Sequence, residues 1–326
     1  MVITAPSIER PGNGPRPINL NKDIPQVLEL LRLAFGESLD AEGQRILQGQ
    51  TAVTGQPAFF YRFNPMASRL SRGFVWEKDG KIIGNVTLLN TTVNGRYLIV
   101  NVAVHPDYRR RGIARLLMNA TTDQVRQQNG REILLQVDKD NKHAIDLYQE
   151  LGYQTLGTMT TWMASAGHTH AIQSHANIPI REMRGNEGQA VYELDVLALP
   201  PNLNWPEPIA KDTYQFSMWR RLSNFMNARH HETWITSDGR HLTGSVTLWS
   251  EWGRAHQLTL RIHPNWQGEL ERPLLAKIIR QLPYIPRRNV RIDHPHNDEL
   301  TSTLLTEANF KPRRILTHMR ADLTKT

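Results

Sequence analysis

Val102-Ala103-Val104-His105-Pro106-Asp107-Tyr108-Arg109-Arg110-Arg111-Gly112-Ile113-Ala114 reads as a strand that runs directly into a helix. Tyr97 to Val104 is an apolar run of strand length, and Ile113, Leu116, Leu117, Ala120, Gln124 and Val125 follow at amphipathic helical spacing. A helix begun near Gly112 presents amides without intrahelical partners, and its dipole adds about half a positive charge at that end. Such a turn binds phosphate oxygens through the backbone. Gly112 and Ala114 leave the surface bare, while Arg109, Arg110 and Arg111 supply charge at its rim.

Outward from this junction the pattern is regular. Asp23 to Phe35 predicts a first helix, with Asp23 as its cap and Ile24, Val27, Leu28, Leu31 and Ala34 on one face. Gly73 to Glu77 and Lys81 to Val86 flank Lys78-Asp79-Gly80, which predicts a hairpin through its Asp-Gly turn. Ile133 to Val137 is a further strand. Ala144, Ile145, Leu147, Tyr148 and Leu151 make a helix that stops at Gly152.

The same features recur later in serial order. Ile82-Ile83-Gly84-Asn85-Val86-Thr87-Leu88-Leu89 resembles Leu242-Thr243-Gly244-Ser245-Val246-Thr247-Leu248-Trp249. Val104-His105-Pro106 matches Ile262-His263-Pro264, and Glu150-Leu151-Gly152-Tyr153 matches Glu307-Ala308-Asn309-Phe310. The offsets of 160, 158 and 157 residues are too long for a solenoid and indicate two copies of one domain. The polar stretch Gly167 to Asn177 lies between them. We therefore expect a flexible tail over 1–15, a first domain over 16–166, a linker over 167–177 and a second domain over 178–326. His168, His170 and His175 in the linker fit no standard metal-ligand spacing, and no metal is expected.

Composition limits the alternatives. The chain has 326 residues and no cysteine, which excludes disulfides, thiolate metal sites and a cysteine nucleophile. No apolar run approaches the roughly 18 to 20 residues of a membrane span, and the N-terminus lacks a signal-peptide core, so a cytoplasmic protein without a membrane partner is expected. The net charge is +8. It is divided evenly, with 19 Lys and Arg against 15 Asp and Glu in residues 1–166 and 20 against 16 in the remainder. An even spread argues against a nucleic-acid partner.

The conjunction of strand, arginine-rich turn and helix with Asn141, Ala144, Leu147-Tyr148 and Gly152-Tyr153 resembles the GCN5-related N-acetyltransferases (GNAT family) over residues about 18 to 165. Arg109, Gly112 and Ala114 match the family's pyrophosphate loop. The resemblance implies an α/β (α+β) fold with a mixed, mostly antiparallel twisted sheet flanked by helices, here in tandem. It implies acetyl-CoA as acyl donor, with pantetheine beside Val102, Ala103 and Val104, and pyrophosphate on the amides of Arg109, Arg110, Arg111, Gly112, Ile113, Ala114 and Arg115. Asn141 and Ala144 would flank the cofactor.

By the same resemblance the fourth and fifth strands splay, helped by a bulge in the fourth. A neutral primary amine, on a small molecule or a protein, attacks the thioester directly. A backbone N–H near Val104 meets the oxyanion, and Tyr148 protonates the thiolate. Read without the family, Tyr148 is a core-covering tyrosine. The glutamate that many relatives carry on the fourth strand is absent from Leu98 to Val102. A water chain, Glu77 or a group from the other copy would then serve as base, and a non-catalytic acyl-CoA sensor is the rival reading.

The second copy departs at its loop, Asn265-Trp266-Gln267-Gly268-Glu269-Leu270-Glu271-Arg272-Pro273, where two glutamates stand in the phosphate position and Leu304-Leu305 replace Tyr148. It is expected to keep the fold without the cofactor, and to wall the acceptor cleft, extend the sheet or form a homodimer. Asn204-Trp205-Pro206, Met218-Trp219 and Trp249 to Trp252 read equally as core or as acceptor surface. Acceptor selection is expected to depend on the loop from Ala58-Phe59-Phe60-Tyr61 to Arg72.

Overall fold

The computed structural model describes residues 13–36, 73–174, 177–199, 202–206, 208–215 and 230–324. The Ala58 to Arg72 loop, Met218-Trp219 and His175 lie outside them.

Two compact units form, and neither is contiguous in sequence. The first contains residues 1–136, 142–154 and 319–326, and the second contains 137–141 and 155–318. The contiguous division at 167–177 remains a proposal about duplication, because packing divides the chain elsewhere.

In the first unit β1 (Gly14–Pro17), β2 (Gly73–Lys78), β3 (Lys81–Asn90), β4 (Arg96–Val104) and β5 (Glu132–Asp138) follow one another across the sheet. The pairings are antiparallel except β4 with β5, which is parallel. Asp79 and Gly80 both have positive φ, 50° and 77°, as the two-residue hairpin turn requires. Helix α1 (Leu20–Phe35) starts three residues before the expected Asp23, because Asn19 caps it by accepting from the Asn21 amide. Asp23 instead accepts the Asn19 amide at 2.6 Å from inside the first turn. Ile24, Val27, Leu28, Leu30 and Leu31 of α1 pack with Val75, Ile82 and Ala103. Each such side chain contributes about 2 kcal/mol by leaving water. Helix α2 (Ile113–Gln127) packs on β3, where a Cβ at Gly84 would stand 2.9 Å from a Leu117 methyl. Helix α3 (Lys142–Glu150) follows β5. The chain's last residues close this unit, with Leu323 N–H donating to Arg131 O at 2.8 Å.

The second unit holds β6 (Gln154–Ala164) from Thr155 onward, β7 (Arg181–Glu182), α4 (Gly188–Ala198), β8 (His230–Ser237), β9 (Leu242–Ser250), β10 (His256–Ile262), α5 (Glu271–Ile279), β11 (Val290–Pro295), α6 (Glu299–Glu307) and β12 (Lys311–Asp322) as far as His318. Its strands run β12, β6, β11, β10, β9, β8, β7. Strand β6, which belongs to the first repeat in sequence, pairs antiparallel with β11 over Met159 to Ala164. The linker is seated on this unit. Ile172 is buried in its core and His170 N–H donates to Ala308 O at 3.1 Å.

The repeat is visible atom by atom. His105 and His263 each accept the amide two residues on, at 3.3 and 3.2 Å, and each donates its own amide at 2.8 Å, to Ile83 O and Thr243 O. Gly152 and Asn309 both end their helices at positive φ.

Candidate functional site

The site begins with a defect in β4. Gly84 pairs with Val104 and Asn85 with Ala103, but Thr87 pairs with Val100, so Asn101 and Val102 together face the single residue Val86. Asn101 takes the left-handed conformation at φ 55°. This is a bulge, as the family resemblance requires. Parallel pairing of β4 with β5 ends at the same level, at Ile99 and Leu135, although both strands continue. The Val100 to Val104 segment thus borders a gap. Bonding alternates along an antiparallel ladder, and His105 N–H bonds to Ile83 O, so the Val104 N–H faces away from β3 into that gap.

The chain then makes a turn of helix over Pro106–Tyr108 and enters the loop. Arg110 has φ 60° and Gly112 φ 75°, and the first bond of α2 is Leu116 N–H to Gly112 O at 3.1 Å. Among the described residues no hydrogen bond uses the amides of Arg110 through Arg115. Left-handed residues within such a turn point successive N–H groups toward one concavity, which is an anion site. A Cβ built at Gly112 meets nothing within 4 Å, so the turn is open at that residue.

The arginines divide their work. Arg109 Nε donates to Val104 O at 3.3 Å, and Arg111 donates to Asp107 O at 3.0 Å while its guanidinium lies 5.1 Å from the Tyr108 ring centre. These two brace the loop from within. Arg110 is exposed, and Arg115 is ion-paired with Glu150.

Tyr148 lies on α3, buried, with its ring 5.9 Å from that of Tyr153. Burial pushes its phenol pKa up to about 12. Asn141 and Ala144 occur at and just after the start of α3, Asn141 exposed and Ala144 half-buried. Glu77, one of the sequence-based choices for a base, is taken up elsewhere. Arg16 Nε donates to its carboxylate at 2.6 Å and Lys22 lies 3.6 Å away. Sequence reading passed over Asn85, whose side chain donates to Asn101 O at 2.9 Å. A buried polar residue in an otherwise apolar strand was the available signal.

The loop of the second unit is built otherwise. β10 pairs with β9 in unbroken register from Gln257 to Ile262, without a bulge. Glu271, at the start of α5, turns back and accepts the Gly268 amide through both carboxylate oxygens at 2.9 Å. Leu304 and Leu305 are in the core, and Trp252 is 76% exposed. Among the described residues no group of three His, Asp or Glu side chains could hold a metal, and no helix is long and apolar enough to cross a membrane.

Residues 28–153 match the Acetyltransferase (GNAT) family. The chain is 32% identical over 102 residues to the peptidyl-lysine N-acetyltransferase YiaC of Escherichia coli (strain K12), covering 29% of this chain and 63% of that relative. It is 26% identical over 154 residues to an N-alpha-acetyltransferase of Sulfurisphaera tokodaii, covering 44% and 81%. The first match thus spans less than two thirds of its relative. Among solved structures, a tandem GNAT protein from the clavulanic acid biosynthesis pathway aligns with a TM-score of 0.50 at 15% identity, covering 94% of this chain and 98% of that one. A GCN5-related N-acetyltransferase from Sphaerobacter thermophilus aligns with a TM-score of 0.57 at 14% identity, covering 94% and 95%. Residues 28–153 thus match the GNAT acetyltransferase family, in a chain that shares the fold of a tandem GNAT protein.

Proposed function

We propose that this protein moves an acetyl group from acetyl-CoA to a primary amine, at a site in its N-terminal half. The carrying observation is the run of unpartnered amides from Arg110 to Arg115, directly after a strand bulged and splayed from its neighbour. Phosphate oxygens accept from these amides, and Val102 to Val104 bond the pantetheine along the gap, beside Asn141 and Ala144. The Val104 N–H takes the developing oxyanion. A neutral amine nitrogen bonds to the carbonyl carbon, the C–S bond breaks, Tyr148 gives its proton to the sulfur, and the proton shed by the new amide nitrogen leaves to water, from which Tyr148 is reprotonated. Positioning supplies most of the rate, since no covalent enzyme intermediate forms. The similar peptidyl-lysine and N-alpha enzymes support an amine acceptor, on a protein or on a small molecule.

In the second half the Glu271 carboxylate already occupies the amide that phosphate would need, which supports a copy without cofactor. The engagement of Glu77 with Arg16 favours a second reading, a non-catalytic acyl-CoA sensor, since it removes one base.

Calorimetric titration of acetyl-CoA into the protein and into a Gly112→Glu, Ala114→Glu variant tests the site. One site per chain, lost in the variant, supports the reading, and screening amines then separates enzyme from sensor. Two sites overturn the account of the second copy. No binding ends the transferase reading.

A further inference from the structure

We infer that Asn85 is a positioning residue for this site, the side chain that holds the β4 bulge in its working form. The inference rests on the proposed acetyl transfer for its kinetic consequence but not for its geometry. Asn85 is wholly buried on β3, in the strand pair that carries the bulge. A bulge turns one residue out of the ladder and leaves its carbonyl without the backbone N–H that regular pairing provides. Asn101 is that residue, at φ 55°, and the Asn85 side-chain amide donates to its carbonyl at 2.9 Å. The same nitrogen lies 3.3 Å from Thr87 Oγ1, across the shifted register.

The arrangement has a cost within the protein. With its nitrogen so directed, Asn85 Oδ1 is buried without a hydrogen-bond partner. An apolar side chain there would exchange this orphan for the Asn101 carbonyl, so the amide's place is tied to the bulge and not to the regular ladder. The molecule contains its own comparison. The corresponding residue of the second repeat is Ser245, equally buried, and the β9–β10 ladder beside it runs without a bulge. Where the amide is replaced by serine, the strand is regular. Asn85 thus sets the local twist that turns the Val104 N–H toward the gap.

The test uses the full chain with Asn85→Ser, the residue of the second repeat, and Asn85→Leu, which is close in shape and carries neither the donor nor a charge. Three readouts are taken: hydrogen exchange at the Ala103 and His105 amides, the acetyl-CoA Kd, and kcat with an amine found by screening. We expect exchange at those two amides to quicken at least tenfold and kcat to fall by about 10- to 100-fold, while Kd changes less than threefold because the pyrophosphate turn is a separate segment. Unchanged exchange in both variants overturns the inference, whether or not the parent transfers acetyl groups. A parallel loss of Kd, kcat and melting temperature also overturns it, since that pattern marks a general structural role. If the parent shows no transfer, the proposed function fails, and exchange still judges Asn85.

Discussion

Both carboxylate oxygens of Glu271 lie 2.9 Å from the Gly268 amide nitrogen, in the loop that corresponds by repeat to the open turn at Gly112. One loop is closed by its own anion, and the other presents its amides unpaired. Replacing Glu271 by alanine removes a buried charge-assisted cap, so urea denaturation should show a loss of about 1 to 2 kcal/mol. Acetyl-CoA affinity at the first loop should stay as it is.

Gly112 separates strain from occlusion. At φ 75° with open space around it, Gly112→Ala meets no protein atom but must hold a left-handed alanine. Stability should fall by about 1 kcal/mol. Acetyl-CoA affinity should fall further, by roughly tenfold, because the methyl group stands where phosphate approaches. Calorimetry beside a denaturation curve reads both.

Tyr148→Phe should lower kcat by about 10- to 100-fold with little change in acetyl-CoA Kd. Burial raises the Tyr148 pKa to about 12, so the phenol keeps its proton through neutral and mildly alkaline pH. A raised folded-state value gives stability that is complete below the ordinary tyrosine pKa, near 10, and is lost as pH climbs through 10 toward 12. The rate should therefore rise with pH as the acceptor amine deprotonates, with no loss attributable to Tyr148 below about pH 11. A pH profile of kcat for parent and variant checks this.

Arg16 joins Asp23 and Glu77, donating to Asp23 at 2.6 and 2.8 Å and to Glu77 at 2.6 Å. Both carboxylates are buried, so Arg16→Ala leaves Asp23 without its ion-pair partner and Glu77 with Lys22 alone at 3.6 Å, and should cost about 3 kcal/mol. Burial pushes the Asp23 carboxyl up, but the hydrogen bonds from Arg16 and the Asn19 amide outweigh it and hold it below the ordinary value. A depressed value gives stability above the unfolded-state pKa, near 4, that is lost as pH falls through and below it. Acid denaturation followed by circular dichroism should show the parent losing this increment, and the variant lacking it from the start.

Residues 1–166 expressed alone should not give a stable unit. The fragment lacks Leu323, whose amide bonds Arg131 O, and Arg320, which lies 3.9 Å from Glu132. Its β6 would also lack the β11 ladder, including Thr161 Oγ1 to Asp293 at 2.5 Å. Co-expression with residues 167–326 should restore solubility. A soluble, cooperatively melting fragment would count against the discontinuous packing units.

Much of the site was legible because its chemistry is local. Positive φ at Gly112 and helix initiation at Ile113 are properties of a few consecutive residues, and amides at a helix start are unpartnered wherever the helix sits. The duplication was legible for the same reason, since His105 and His263 cap the same short turn with the same atoms. Helix α1 was misplaced by three residues because the competing caps, Asn19 and Asp23, are both acceptable locally. Packing of Asp23 against Arg16 decided between them. The Asn101 bulge, the role of Asn85 and the placement of β6 beside β11 depend on which backbone groups meet across strands. Sequence alone therefore determined the elements, the repeat and the open turn at Gly112, whose physics is contained in single segments. Only the tertiary structure decided the strand register, the splay of β4 from β5 and the pairing of β6 with β11, because each is a choice among hydrogen-bond partners far apart in the chain.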